Sequence, residues 1–188
     1  LFAIGLVEEE EDEPARNDAR QRHSEHFRNV LSFATDLYEK GNILGGLGIF
    51  DLERANIESA WEWAEKNLSE NNEAASICSS FLNWPYLLSL RLHPRELISW
   101  MEMALAAARK LNNRGMEGAH LGNLGIAYMD LGEPRKAIEF HEQALKIAQE
   151  IGDRRGEGNC LGNLGIAYAD LGEPRKAIEF YEQALKIA

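Results

Sequence analysis

Apolar positions in the last 70 residues recur three and four apart, the spacing of a helix that buries one face. Leu121, Leu124, Gly125, Tyr128 and Leu131 form one such stripe. Ala137, Ile138, His141, Ala144, Leu145, Ala148 and Ile151 form the next. Between them, Gly132 ends the first helix, because glycine takes the left-handed C-terminal conformation without a Cβ penalty. Pro134 opens the second, at a position whose N–H has no intrahelical acceptor. Two amphipathic helices joined by so short a turn pack antiparallel. The unit then recurs: residues 118–148 and 158–188 align over 31 positions and differ at Ala119/Asn159, His120/Cys160, Met129/Ala169 and His141/Tyr181. One hairpin of this size cannot bury its apolar face alone, so a stacked array is predicted.

The same period of 40 residues reaches back toward the N-terminus. Pro94-Arg95 precedes Pro134-Arg135 by one period, and Ala104, Leu105 and Ala108 precede Ala144, Leu145 and Ala148. Residues 78–117 are therefore a degenerate repeat, with Trp84 and Pro85 in the places of Leu124 and Gly125. Ile57, Trp61 and Ala64 echo the second-helix stripe one step earlier. Residues 15–40 read as one long helix ending at Gly41, and the glycines of "GNILGGLGIFD" read as a flexible loop. The second helix of each repeat is expected to run on through "QEIGDRRGEG". The chain is thus all-α, with about nine helices: an acidic tail at 1–16, irregular helices at 17–117, and two repeats at 118–188, divided 118–157 and 158–188.

The repeat residues resemble those of the tetratricopeptide repeat (TPR). Its signature is matched by Leu124, Gly125, Tyr128, Gly132, Pro134, Ala137, His141 and Ala144, and again by Leu164, Gly165, Tyr168, Gly172, Pro174, Ala177, Tyr181 and Ala184. Leu121 and Leu161 replace the usual early Trp, and the usual closing Pro is missing. The resemblance implies an αα-superhelix that binds proteins or peptides. The 40-residue form also resembles the Leu-Gly-Asn repeat scaffolds of cell-polarity complexes. A second resemblance covers residues 20–66. Arg22, His23, His26, Phe27, Leu52, Glu53, Asn56, Ile57, Ala60, Trp61, Trp63 and Ala64 look like the helical connector of bacterial STAND-class ATPases. In that class an upstream nucleotide-binding module hydrolyses ATP while the repeats sense a ligand. A stand-alone scaffold tethering partner proteins is the alternative.

Charge and chemistry narrow this further. The formal net charge of −11 disfavours binding to a phosphate backbone, and six acids, Glu8 to Glu13, form one run that reads as a solvated tail. The opening "LFAIGLV" is too short and lacks the basic flank of a signal or membrane segment. The two cysteines, Cys78 and Cys160, share no metal-type spacing and suit reduced thiols in a cytoplasmic protein. "GGLGIF" lacks the Gly-Lys-Ser/Thr of a phosphate loop. His23 and His26 share a helix face, but no third ligand accompanies them. Trp61, Trp63, Trp84 and Trp100 fall at core spacings. No nucleophile–base signature is present. Neither catalysis, a cofactor nor a metal is expected of this chain.

A binding surface remains. Ala119, Asn123, Ile126, Met129 and Asp130 lie on the first helix of the repeat, opposite its packing face. Asn159, Asn163, Ile166 and Asp170 follow in the next copy. In TPR arrays this stripe lines the concave groove. The Asn row can donate and accept, the Ile row is apolar, and the Asp row favours basic groups. The basic clamp of chaperone-tail TPRs is absent. The expected ligand is a protein or peptide of basic or mixed charge, with the loop edge at Arg154 and Arg155 as the alternative place. Exposed Ile178, Tyr181 and Leu185 on the last helix predict end-to-end self-association.

Overall fold

The computed structural model describes residues 13–83 and 85–187, and these hold nine α-helices and no strand. In order they are α1 (Glu13–Glu39), α2 (Ile43–Asn67), α3 (Asn72–Ser80), α4 (Tyr86–Ser89), α5 (Pro94–Lys110), α6 (Arg114–Asp130), α7 (Pro134–Ile151), α8 (Arg154–Asp170) and α9 (Pro174–Leu185). "LFAIGLV", the acidic run up to Asp12 and Trp84 lie outside the described residues. The helix begins inside the segment expected to be an acidic tail: Glu13 sits in the first turn of α1, where a carboxylate is favourable against the helix dipole. The chain divides after Ile77 into two units.

In the first unit α1 and α2 form a hairpin. Gly41 (φ 91°) closes α1, with its N–H bonded to the Tyr38 carbonyl and that of Asn42 to Leu37. Asn42 at once caps the next helix, accepting from the Gly45 N–H at 3.1 Å. The segment expected to be a flexible loop is therefore the first two turns of α2. Gly46 is a contact residue: a Cβ there would sit 2.5 Å from the Ala34 carbonyl oxygen of α1. Phe50, Ile57, Ala60 and Trp61 of α2 and Leu31 and Ala34 of α1 are buried. Ser24 donates to the Ala60 carbonyl at 2.7 Å and Trp63 to Asn17 at 3.1 Å, cross-linking the two helices.

Two glycines two places apart should respond oppositely to the same change. Gly46→Ala is expected to lower stability by about 1–2 kcal/mol, because backbone overpacking outweighs the helix-propensity gain. Gly48 has open space around it, so Gly48→Ala should raise stability by up to about 1 kcal/mol. Urea melts followed by tryptophan fluorescence check both. A Gly46→Ala protein at least as stable as wild type would mean the helices separate freely.

The second unit holds the repeats. Its first member departs from the pattern: where the later copies have one continuous helix, Pro85 and the turns beside it separate α3 from the four-residue α4, since proline removes a donor and clashes with the preceding turn. From α5 onward the period is regular. Pro94, Pro134 and Pro174 each open a helix. Gly132 (φ 71°) and Gly172 (φ 75°) each close one, with paired bonds such as Gly132 N–H to Met129 and Glu133 N–H to Tyr128. The second helix does not run on through "GDRRGEG". It stops at Ile151, Gly152 turns left-handed, and Asp153 caps α8 by accepting from Gly156 at 2.9 Å. The hairpins are thus 114–151 and 154–185, each starting a few residues earlier than the sequence alignment implied.

Each hairpin closes through one glycine. A Cβ on Gly125 would fall on the His141 ring, and one on Gly165 would fall on the Tyr181 ring. Beside this contact Tyr128 stacks on Phe140 and Tyr168 on Phe180, both at 5.3 Å between ring centroids. Ile138, Leu164 and Ala167 bury the seam between the repeats, with Met129, Leu145, Tyr168, Leu171 and Phe180 packed against them.

Candidate functional site

The first helices of the two repeats, α6 and α8, present a common concave side. It encloses about 920 Å³, walled at one end by Asn83, Pro85 and Tyr86 and at the other by Asp153, Arg155 and Tyr181. The floor is low because glycine recurs on it: Gly115, Gly118 and Gly122 from α6, and Gly156, Gly158 and Gly162 from α8. A side chain at Gly122 or Gly162 would meet nothing within 4 Å, so no packing contact calls for glycine there. Ala119, Asn123, Ile126, Asn159, Asn163 and Ile166 line the cavity. Ile126 and Ile166 are 37% and 49% exposed. The side chains of Asn123 and Asn163 face this space without a protein hydrogen-bond partner among the described residues.

The other three expected positions lie elsewhere. Met129 packs into the seam between repeats, against the Ile138–Leu164 core. Asp130 and Asp170 are exposed but occupy the last residues of α6 and α8, past the cavity lining. Among the described residues, the charged side chains in the lining are Asp153 and Arg155. Asp153 is engaged as the α8 cap, whereas Arg155 stands where the previous repeat has Gly115. The sequence puts Arg155 at a loop edge; the cavity extends to it because α8 starts at Arg154.

Four titratable groups in these repeats are held in one state. Cys160 lines the cavity, and burial, with Asp153 nearby, pushes its thiol up to about 11; it is no nucleophile at neutral pH. His120 and His141 are fully buried, and burial lowers each to about 4. Ser79 meets His120 Nε2 at 3.1 Å, while His120 Nδ1 and both His141 nitrogens have no partner. Glu117 is buried beneath Arg109 and Arg114. Burial alone would raise its carboxyl, but the two arginines outweigh that and hold it low. No cluster of three or more His, Cys, Asp or Glu able to hold a metal occurs among the described residues, and no described helix is long and apolar enough to cross a membrane.

A tetratricopeptide-repeat family profile matches residues 95–150 and 116–188, half of the chain. The chain belongs to this family. No curated protein matches it significantly. Among solved structures, the TPR domain of Arabidopsis FLU is 22% identical with a TM-score of 0.54, covering 62% of this chain and 96% of that one. A STAND protein with a tetratricopeptide repeat sensor from Pyrococcus horikoshii is 20% identical with a TM-score of 0.61. It covers 88% of this chain, which spans only 24% of that protein. Podospora anserina kinesin light chain-like TPR repeats are 18% identical with a TM-score of 0.62, covering 87% of this chain and 75% of that one. At these identities the likeness is one of fold alone.

Proposed function

We propose that this TPR chain is a protein-binding arm whose concave face takes a peptide segment of a partner. The observation that carries this reading is the pair of unpartnered amides, Asn123 and Asn163, set above a glycine floor and beside Ile126 and Ile166. An amide can satisfy both the N–H and the C=O of a bound main chain, and the absent Cβ atoms let that main chain approach. With Asp130 and Asp170 outside the lining, a preference for basic ligands loses its support. The ligand we assign is polar and near neutral over the amides, with a carboxylate opposite Arg155.

Peptides selected from a displayed library on the wild-type chain test this. Asn123→Ala with Asn163→Ala should weaken them about tenfold to hundredfold, the loss of two to four hydrogen bonds. The helical signal and melting temperature should hardly change. Selected peptides that bind the folded double variant at full strength would place the site elsewhere.

The larger protein we favour is a STAND-type ATPase, with this chain as its sensor arm. The connector-like residues of α1 and α2 support it, as does the likeness of fold across 88% of the chain to a STAND protein with such a sensor. A reading frame encoding a phosphate loop and winged helix upstream of Leu1 is the expected finding. An upstream region without a phosphate loop would leave the stand-alone scaffold in its place.

A further inference from the structure

The interrupted first member of the second unit carries both rows of the groove one step further. One period before Asn123 and Asn163 stands Asn83, and one period before Ile126 and Ile166 stands Tyr86. The chain is not a continuous helix here, yet Asn83 and Tyr86 line the same cavity as the later members. Phe81, Leu82, Leu87 and Leu88 around them are buried, whereas Tyr86 is 55% exposed, so the core does not call for its ring. The Asn83 side chain, like those of Asn123 and Asn163, has no protein hydrogen-bond partner among the described residues. The cavity thus offers three amides in one row and Tyr86, Ile126 and Ile166 in the other.

With the concave face read as a peptide groove, as proposed above, we infer that its ligand is a polyproline II segment. That segment carries a large apolar residue at every third position, and one end of the run meets Tyr86. Spacing is the argument. α8 packs directly on α6, and Ser79 and His120 tie α3 to α6 at 3.1 Å, so successive steps lie about 8–10 Å apart. A polyproline II chain repeats each face every three residues, a rise of about 9 Å. A β-strand repeats a face every two residues, about 7 Å, and falls out of step by the second row. An α-helix spends its own N–H and C=O groups internally and would leave the three amides unanswered. Polyproline II has no internal hydrogen bonds, so its main chain is free to bond them. Tyr86, with Pro85 beside it in the lining, adds an aromatic platform of the kind on which such segments dock.

Two fluorescein-labelled peptides of one composition test this. One is three Leu-Pro-Pro units in sequence; the other has the same residues rearranged so that the leucines stand two apart. In anisotropy titrations the first should bind at least about tenfold more tightly than the second. Tyr86→Ala should weaken it about tenfold, and Asn83→Ala about threefold to tenfold. Both side chains are exposed, so both variants fold, and an unchanged helical circular dichroism signal checks that. Equal binding of the two peptides, binding of neither, or full-strength binding by the Tyr86→Ala protein overturns the inference. Peptides selected from the displayed library separate this failure from that of the groove itself. Winners that lose affinity with Asn123→Ala and Asn163→Ala, but show no three-residue period and ignore Tyr86→Ala, overturn the inference and leave the groove standing. Winners indifferent to all of these substitutions overturn both.

Discussion

Lowering the pH from 7 to 4 should cost this protein up to about 3 kcal/mol at each of two histidines, both in the first full repeat. His120 and His141 are completely buried, and burial lowers each to about 4 from an ordinary 6.5. The sign follows from that direction. Below pH 6.5 the unfolded chain takes up protons that the folded chain refuses, so stability is full above about 6.5 and falls as the pH drops toward 4. His141 has the sharper penalty, since neither ring nitrogen has a partner to share a proton with. The second repeat carries Cys160 and Tyr181 at these positions, and neither residue gains charge in acid. Native-state hydrogen exchange at pH 4 should therefore show α6 and α7 opening before α8 and α9. His141→Tyr, which borrows the residue already seated against Gly165, should remove about half of the acid loss. Equal pH dependence in wild type and that variant would acquit the histidine.

The second large effect compares one substitution at duplicate sites. Ile138→Ala should cost about 2–4 kcal/mol, because it opens a cavity in the seam where Leu164 and Ala167 meet it. Ile178→Ala, the same change in the same local sequence, should cost no more than about 0.5 kcal/mol beyond its change in helix propensity, since that side chain is 56% exposed. Paired denaturant melts measure the contrast. Equal losses would mean that the intrinsic stability of each hairpin, not the seam between hairpins, holds the array together.

The parts of the fold that could be read from the chain are those where local and long-range demands agree. Gly132 and Gly172 end helices for a purely local reason, and Pro134 and Pro174 begin them for another, so the hairpins of the second unit stand out without any partner in view. Gly45, Gly46 and Gly48 look like the same punctuation and are not. Gly46 exists for the Ala34 carbonyl of a different helix, a contact that no window along the chain contains. Groove positions divide in the same manner. Asn123, Ile126, Asn163 and Ile166 follow from helical phase alone. Phase also put Met129 and Asp130 on the groove stripe, but not how far the cavity runs along the helix axis, and it stops before the last turn. Arg155 reads from the sequence as a separate loop-edge site rather than as part of the same lining, because the start of α8 at Arg154 is not evident there. The left-handed Gly152 followed by an Asp able to cap was the available signal.

Each repeat is closed by parts that lie within one period: a left-handed Asn112 or Gly152 and a capping Asn113 or Asp153 before its first helix, then a left-handed Gly132 or Gly172 and a proline before its second. Removing residues 118–157 in frame would join Glu117 to Gly158 and recreate the Glu-Gly step already present at Glu157–Gly158. Cys160 would then occupy the place of His120 beside Ser79. At the level of the gene, the near-identical copies are a substrate for unequal crossing-over, and both products of such an exchange keep intact seams. Array length in this lineage is therefore free to drift by whole periods, with the peptide-sized floor between α6 and α8 lengthened or shortened in steps of one Asn and one Ile.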